Sequence, residues 1–208
     1  MGQEIQLYLQ ENRGEYLGYL LDHIRLSGLA ILLAIVIGLP LGYFCYKKAV
    51  VFHVASFTTQ VLRIIPSLAV LFILIPFIGV GFLPALLALF ILGLSPIVLN
   101  TAQGFLEVKD QVLETARGLG MDNRQIFWKI LLPQAFPYIL TGIKLALIEI
   151  IASASLATYI GAGGLGSLIF TGLGLYRMDL VVLGGGSVAL LSFFTNLLLD
   201  LVIKQSTH

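Results

Sequence analysis

The residues of this sequence that could carry chemistry are few, and none of them forms a catalytic motif. Three histidines and one cysteine are scattered over 208 residues. The sequence contains no Gly-Lys-Ser/Thr phosphate loop, no HExxH and no GxSxG. We therefore expect a chain that is not an enzyme, has no metal site and binds no cofactor itself. Cys45 is predicted to be a packing residue, because a free cysteine usually behaves as a small hydrophobe.

One glycine-rich run has the spacing of a phosphate-binding loop. Residues 161–166 satisfy GxGxxG through Gly161, Gly163 and Gly166, with Gly164 in addition. A dinucleotide site needs such a run between a strand and a helix of a parallel sheet. Here apolar segments of membrane-span length flank the run, which favours close helix packing by small residues.

Three ionisable residues, Arg63, Lys144 and Glu149, interrupt strongly apolar stretches. Isolated charge in lipid is costly, so each of them needs a partner or a function. Lys144 and Glu149 are five residues apart, which is poor spacing for a pair within one helix, so each is predicted to find a partner elsewhere. Glu149 either faces a transport path or bonds to a neighbouring span, and Lys144 can extend toward the nearer membrane surface. Arg63 is expected to face the cytoplasmic side of the helix bundle.

The composition indicates which elements hold these residues. With 58% hydrophobic and 11% charged residues, the chain has too little polar surface to cover a soluble globule. A membrane-spanning helix takes about 20 mostly apolar residues, so charge-free runs mark the spans. We predict an all-α, multi-pass protein of the cell membrane, a single domain over residues 1–208 with five spans. The predicted spans cover about residues 24–46, 54–78, 82–105, 138–159 and 180–201.

The distribution of lysine and arginine predicts the orientation. Five spans put the two termini on opposite sides of the membrane, and cytoplasmic loops carry the excess of positive charge. One side holds only Arg13 and Arg177, so it is predicted to be outside, together with the N-terminus. The other side is predicted to be cytoplasmic and holds Lys47, Lys48, Lys109, Arg117, Arg124, Lys129 and Lys204.

The loop of residues 107–133 is too polar for the bilayer and is predicted to form two short cytoplasmic helices. In the first helix Asp110 is the expected cap, and Val112, Ala116 and Leu119 recur at helical spacing. Gly118 and Gly120 are expected to end that helix in the left-handed conformation that glycine permits.

The second helix of this loop has its own start and stop signals. Asp122 followed by Gln125 has the spacing of a capping box. Phe127, Ile130 and Leu131 then line one face until Pro133, which is predicted to end the pattern. From the physical pattern alone, two readings stay open: docking in a groove of a soluble partner, or lying on the membrane surface with Trp128 and Lys129 at the headgroups.

The residues of this loop resemble the EAA motif of ABC importer permeases. Glu114-Thr115-Ala116, then Gly120, then an apolar run ending in Leu132-Pro133 follow that pattern, with Thr115 as the one departure from Glu-Ala-Ala. The resemblance implies a coupling helix that inserts into a cleft of a separate ATP-hydrolysing subunit. The coupling residues that it implies are Glu114, Thr115, Ala116, Gly118, Leu119, Gly120, Met121 and Pro133.

Three further stretches are similar to the osmoprotectant branch of this family, which handles glycine betaine, carnitine and choline. They are residues 65–69, 95–101 and 159–166. Two positions depart from that branch: Arg63 stands where Gln is usual, and Ser187 replaces a proline expected in the fifth span. An amino acid such as methionine is the alternative substrate.

The resemblance also implies an assembly and a transport path. It implies a type I ABC importer fold with a methionine-permease-like core, a second permease copy or paralogue, and two ATPase subunits that bind ATP and Mg. An extracytoplasmic binding protein and the lipid bilayer complete the expected partners, and no nucleic acid is expected. Bends at Pro66 and Pro96 either shape a gate or are static kinks. The implied path or gate residues are Pro66, Ser67, Pro96, Asn100, Glu149, Ser155 and Tyr159, and the glycines of residues 161–166 form an extracytoplasmic segment.

Two rival classes stay open at this point. A secondary transporter or channel would need ion-coupling or selectivity residues, and often shows internal repeats, which we do not find. A membrane anchor that only tethers a soluble partner is the other rival. Aromatic residues do not cluster along the sequence as a cage for a quaternary ammonium group.

Overall fold

The computed structural model describes residues 2–206, except for the side chains of Gln60, Leu62, Arg63 and Ser206. The prediction for Arg63 therefore lies outside the described side chains. The described residues are mostly helical and contain no β-strand. The helices are α1 (Gly2–Glu11), α2 (Arg13–Lys47), α3 (Ala49–Ile64), α4 (Ser67–Ile78), α5 (Phe82–Leu106), α6 (Asp110–Gly118), α7 (Asn123–Ile126), α8 (Leu132–Ala154), α9 (Gly166–Gly174) and α10 (Met178–Ser206), with a π turn at Phe127–Leu131 and a 3-10 turn at Leu156–Ile160.

Four of the described helical segments are long and apolar enough to cross a membrane. They are α2, α5, α10 and the continuous segment Asn123–Ala154, which contains α7, the π turn and α8. This confirms the prediction of an all-α membrane protein. The helices run past the predicted spans because helical hydrogen bonding continues into polar residues at their ends, most clearly in α2, which begins at Arg13.

The second predicted span, residues 54–78, is not one helix. It is divided into α3 and α4, which are 16 and 12 residues long. Pro66 lies at the break with φ −57° and ψ 138°, an extended conformation. A proline disfavours the helical region for the residue before it and cannot donate to the helical ladder, so the chain leaves the helix at Ile65. The apolar composition of residues 54–78 predicts one span, and it does not reveal that the helix stops at this proline.

Glycines allow α2, α5 and α8 to pack tightly in the centre of the molecule. A Cβ atom at Gly42 of α2 would lie 2.5 Å from the Cβ of Thr101 on α5. A Cβ at Gly142 of α8 would lie 2.9 Å from the carbonyl oxygen of Pro96 on α5. Small residues of this kind let helix backbones approach closely in membranes. The three helices therefore form one closely packed unit.

The bundle has two distinct ends. At the α6 end, α2 and α5 finish and α8 starts, next to α6 and α7. At the α9 end, the backbone N–H of Gly81 donates to the carbonyl oxygen of Ile160. There the buried ring of His23 also donates through Nε2 to the carbonyl oxygen of Ile151 at 3.1 Å. The hydrogen bonds at the α9 end connect the start of α5, the start of α2 and the end of α8.

Helix α10 lies against α8 and α9 and makes polar contacts with the bundle. The Tyr16 hydroxyl lies 2.9 Å from Oγ of Ser187. Nζ of Lys144 donates to Oδ1 of Asp200 at 2.6 Å, which confirms that Lys144 has a partner on another helix. Ser187 also donates to the carbonyl oxygen of Leu183 at 2.7 Å. With serine at the position where the resemblance implies proline, α10 continues without a break.

Candidate functional site

The loop of residues 107–133, called the coupling loop after the role that the resemblance implies, has α6 as its first helix, and α6 starts differently from the prediction. Lys109 occupies the N-cap position and no side chain caps the helix. Asp110 is instead in the first turn of the helix. An acid there is favourable because the partial positive charge of the helix N-terminus attracts it. The prediction that Asp110 is the cap was therefore wrong by one residue.

Helix α6 packs on the bundle through one face. Leu113 and Ala116 are buried, whereas Leu119 is 78% exposed. Leu113 belongs to a cluster with Phe105 of α5 and Leu131 of the π turn. Val112, Ala116 and Leu119 recur at helical spacing. Contact with the aromatic side chains at the α6 end, however, buries Leu113 and Ala116 and leaves Val112 and Leu119 exposed.

Gly120 ends the turn after α6, as predicted. Its φ is +79°, in the left-handed region. The Gly120 N–H donates to the carbonyl oxygen of Arg117 at 2.9 Å, and the Met121 N–H donates to that of Ala116 at 3.1 Å. This pair of hydrogen bonds is the Schellman motif of a helix C-terminus. Gly118 is part of α6, so its predicted left-handed conformation was wrong.

The capping box of α7 is confirmed. The Gln125 N–H donates to Oδ1 of Asp122 at 2.7 Å, and the Asp122 N–H donates to Oε1 of Gln125 at 3.0 Å. Two backbone donors that the helix itself leaves free are thus satisfied. The turn between α6 and α7 is therefore held by backbone and side-chain hydrogen bonds.

Pro133 does not end the helical pattern, contrary to the prediction. The chain stays helical from Asn123 to Ala154, with a π turn at Phe127–Leu131. In this turn the Leu132 N–H donates to the carbonyl oxygen of Phe127, five residues back. The wider turn makes room for the proline ring, which would otherwise collide with the preceding turn. The loop therefore leads into α8 without interruption.

Aromatic rings join this loop to the long helices. The ring centroid of Tyr43 on α2 lies 5.2 Å from that of Phe105 on α5 and 5.3 Å from that of Phe127. Both contacts are edge-to-face, the favourable arrangement for aromatic pairs. The loop is therefore packed directly against α2 and α5.

The opposite side of the loop is exposed and partly apolar. Leu119 and Trp128 are 78% and 60% exposed. A shallow groove runs between α6 and the π turn, lined by Val112, Leu119, Ile130 and others. Apolar surface on an otherwise polar loop marks a site of contact with a protein or a membrane. Glu114 and Thr115 are also exposed, so most of the residues implied for coupling form one surface, whereas Ala116 is buried beneath them.

The residues implied for a transport path fall into separate groups. Pro96 is buried within α5, and Nδ2 of Asn100 donates to its carbonyl oxygen at 2.8 Å. At the α9 end, Oγ of Ser155 donates to the carbonyl oxygen of Ala152. Pro66 and Ser67 lie at the junction of α3 and α4, and Glu149 is half-buried on α8. Their roles in a path stay a prediction.

Three aromatic rings meet at the α9 end although they are far apart in sequence. The ring of Tyr159 lies 4.2 Å from that of Phe170 and 6.5 Å from that of Phe72, measured between centroids. Spacing along the chain gives no sign of this grouping, because the rings come from α4, the 3-10 turn and α9.

The glycine-rich segment is a compact turn between helices. Gly161, Gly163 and Gly164 have positive φ, and a Cβ at Gly166 would overlap the Ser155 carbonyl oxygen. A 3-10 turn precedes the segment and α9 follows it, so the strand that a dinucleotide site requires is not there. His23, which the sequence presents as isolated, is fully buried beneath Gly164.

At the same end, Arg177 pairs with Asp179. Nη2 of Arg177 donates to Oδ2 of Asp179 at 2.6 Å. This hydrogen bond raises the pKa of the Arg177 guanidinium above its ordinary value. The pair follows Tyr176, which is 89% exposed and has a positive φ of 57°. Neither the pair nor the strained tyrosine was predicted.

Comparison with known proteins identifies the family. The sequence matches the model of a "binding-protein-dependent transport system inner membrane component" over residues 30–207. It is 41% identical over 188 residues to a carnitine transport permease protein of Listeria monocytogenes, covering 90% of this chain and 86% of that protein. It is 34% identical over 200 residues to a choline transport system permease protein of Bacillus subtilis, covering 96% of this chain and 92% of that protein.

The fold is also that of a solved transporter. A structure of the MetNI methionine ABC transporter in an inward-facing conformation is similar, with a TM-score of 0.81 at 22% identity, covering 93% of this chain and 96% of that chain. This likeness confirms the predicted methionine-permease-like core of a type I ABC importer. The chain is a membrane transport subunit and belongs to the family of binding-protein-dependent transport system inner membrane components.

Proposed function

We propose that this chain is the permease subunit of an ATP-driven importer for quaternary ammonium osmoprotectants such as glycine betaine, carnitine or choline. The observation that carries the proposal is the coupling loop, which is exposed and partly apolar on one side and fixed to α2 and α5 on the other. Relatives named as carnitine and choline permeases support the substrate class. Methionine or another amino acid is the alternative substrate.

The proposed topology has five membrane crossings with the N-terminus outside. Helices α3 and α4, of 16 and 12 residues, together supply the second crossing. At 1.5 Å per residue their combined length exceeds the ~30 Å hydrocarbon core, so a broken helix is long enough. The α6 end is then cytoplasmic and the α9 end faces outward. This orientation places the coupling loop where an ATPase can reach it.

The proposed assembly contains two permease chains, either two copies of this one or this one with a paralogue. Two ATPase subunits, which bind ATP and Mg, dock on the α6 ends, and a binding protein delivers substrate at the α9 ends. ATP binding closes the ATPases, and α6 passes that motion to α2 and α5 through Leu113 and the ring of Tyr43. The path then alternates between outward and inward access because the ATPases bind the two permease states with different affinity.

The test is uptake by the complete transporter in proteoliposomes. We expect uptake of labelled glycine betaine, carnitine or choline that needs ATP, the ATPase and the binding protein. Unlabelled methionine should not compete. Competition by methionine alone would overturn the osmoprotectant assignment, and uptake without ATP would favour a secondary transporter. A tethering anchor would give no flux at all.

A further inference from the structure

A cavity of about 480 Å³ opens at the α6 end between the end of α2, α6 and the segment that starts α7. This volume is within the range of small-molecule sites, about 300–1,000 Å³. The cavity has two kinds of lining. Its floor is apolar, with buried Leu113, Ile126 and Leu131, and its rim carries Lys47, Arg117, Asn123 and the rings of Tyr43, Tyr46 and Phe127.

The rim carries two cations. Among the residues that the structure describes, neither Lys47 nor Arg117 lies within 4 Å of a carboxylate. Nζ of Lys47 lies 4.6 Å from the centroid of the Tyr43 ring, which holds the ammonium over the cavity side of α2. The acids Asp110 and Glu114 are on α6 but do not line the cavity. The rim therefore has a net positive charge.

The position of the cavity indicates what fills it. The apolar run of α2 ends at Tyr46 and is followed by Lys47 and Lys48. Aromatic residues followed by basic ones mark the headgroup level of a bilayer. A ligand of this cavity needs an anionic group for the rim and an apolar part for the floor. A phospholipid has both, whereas a free, fully hydrated anion has no apolar part.

We infer that this cavity binds the phosphate headgroup of an anionic phospholipid. The phosphate oxygens accept hydrogen bonds from Lys47 and Arg117, and the start of the acyl chains covers Leu113 and Leu131. Because Lys47 is on α2 and Arg117 is on α6, the lipid connects a membrane helix to the coupling helix. The inference requires only that the α6 end lies at a bilayer surface, and its test does not need substrate or transport.

The test is lipid binding to the purified, delipidated transporter complex by native mass spectrometry, with phosphatidylglycerol and phosphatidylcholine as probes. We expect phosphatidylglycerol to bind and phosphatidylcholine to bind much more weakly. Lys47→Gln and Arg117→Gln should each weaken phosphatidylglycerol binding about tenfold, because each removes one hydrogen bond from a charged donor to the phosphate. Lys48→Gln is the matched control, since Lys48 is exposed next to Lys47 but does not line the cavity.

Three results would overturn the inference. These are unchanged phosphatidylglycerol binding in the Lys47→Gln, Arg117→Gln double variant, equal binding of both lipids, and complete displacement by millimolar glycerol 3-phosphate. The last would make the cavity a site for soluble phosphate esters. Lys47→Arg should retain binding, and an unchanged elution volume of the complex excludes misfolding as the cause of a loss.

Discussion

Replacing Gly120 by valine tests whether the turn after α6 couples the ATPase to the membrane helices. Gly120 has φ +79°, and a Cβ there would meet nothing within 4 Å, so the substitution causes no collision. Its whole cost is conformational. A left-handed conformation costs an L-residue about 1–2 kcal/mol, and a β-branched one lies at the upper end of that range.

A cost of about 2 kcal/mol reduces the population of the native turn roughly 30-fold relative to its alternatives. The hydrogen bonds of Gly120 and Met121 to α6 are then lost, and Leu119 no longer has a fixed position. We expect Gly120→Val to insert into the membrane normally, while uptake per ATP hydrolysed falls about tenfold or more in proteoliposomes.

Two companion variants distinguish the loss of the left-handed turn from general damage to the protein. Gly28→Ala adds a methyl group to a helical residue of α2 that also has nothing within 4 Å, so uptake should be unchanged. Gly120→Asn should be intermediate, because asparagine tolerates the left-handed conformation. Normal ATP-driven uptake by Gly120→Val would refute the assigned role of this turn.

Other perturbations follow from single contacts. Asp122→Ala removes the capping box and should lower the local stability of the loop by about 1 kcal/mol, measured as faster cleavage by a protease. Asp122→Ser keeps a capping side chain and should not have this effect. Gly42→Val forces a side chain to within 2.5 Å of Thr101 and should lower the thermal midpoint, with a cost of about 1–3 kcal/mol, while Gly28→Val, with open space around it, should not. Lys144→Met alone should destabilise the protein more than Lys144→Met combined with Asp200→Leu, because the single variant leaves the Asp200 carboxylate without its partner. The difference in a thermal double-mutant cycle should be up to about 1 kcal/mol.

The sequence predicted the features that depend on local signals. The capping box at Asp122, the left-handed Gly120 and the apolar helices all follow from residue type and spacing. These properties involve neighbours within a few residues, so a single sequence contains the information.

The features that the sequence did not predict depend on tertiary contacts or on backbone adjustments. The buried face of α6 is selected by rings on α2 and α5, which spacing within α6 does not reveal. The helix passes Pro133 because a π turn widens the backbone before it, whereas at Pro66 the chain breaks. Two prolines in apolar surroundings thus have opposite effects. The grouping of Phe72, Tyr159 and Phe170 is likewise a product of the fold.

The continuity of the helix through Pro133 gives the protein a lever arm. The segment Asn123–Ala154 has 32 residues, which corresponds to a rod of about 48 Å at 1.5 Å per residue. One end of the rod is the capped turn at Asp122, and the other leads to the glycine turn above His23. A tilt of ten degrees about the first end would displace the second by roughly 8 Å. A small rotation at the Asp122 end would therefore become a large movement at the opposite end, without any change in the internal structure of the rod.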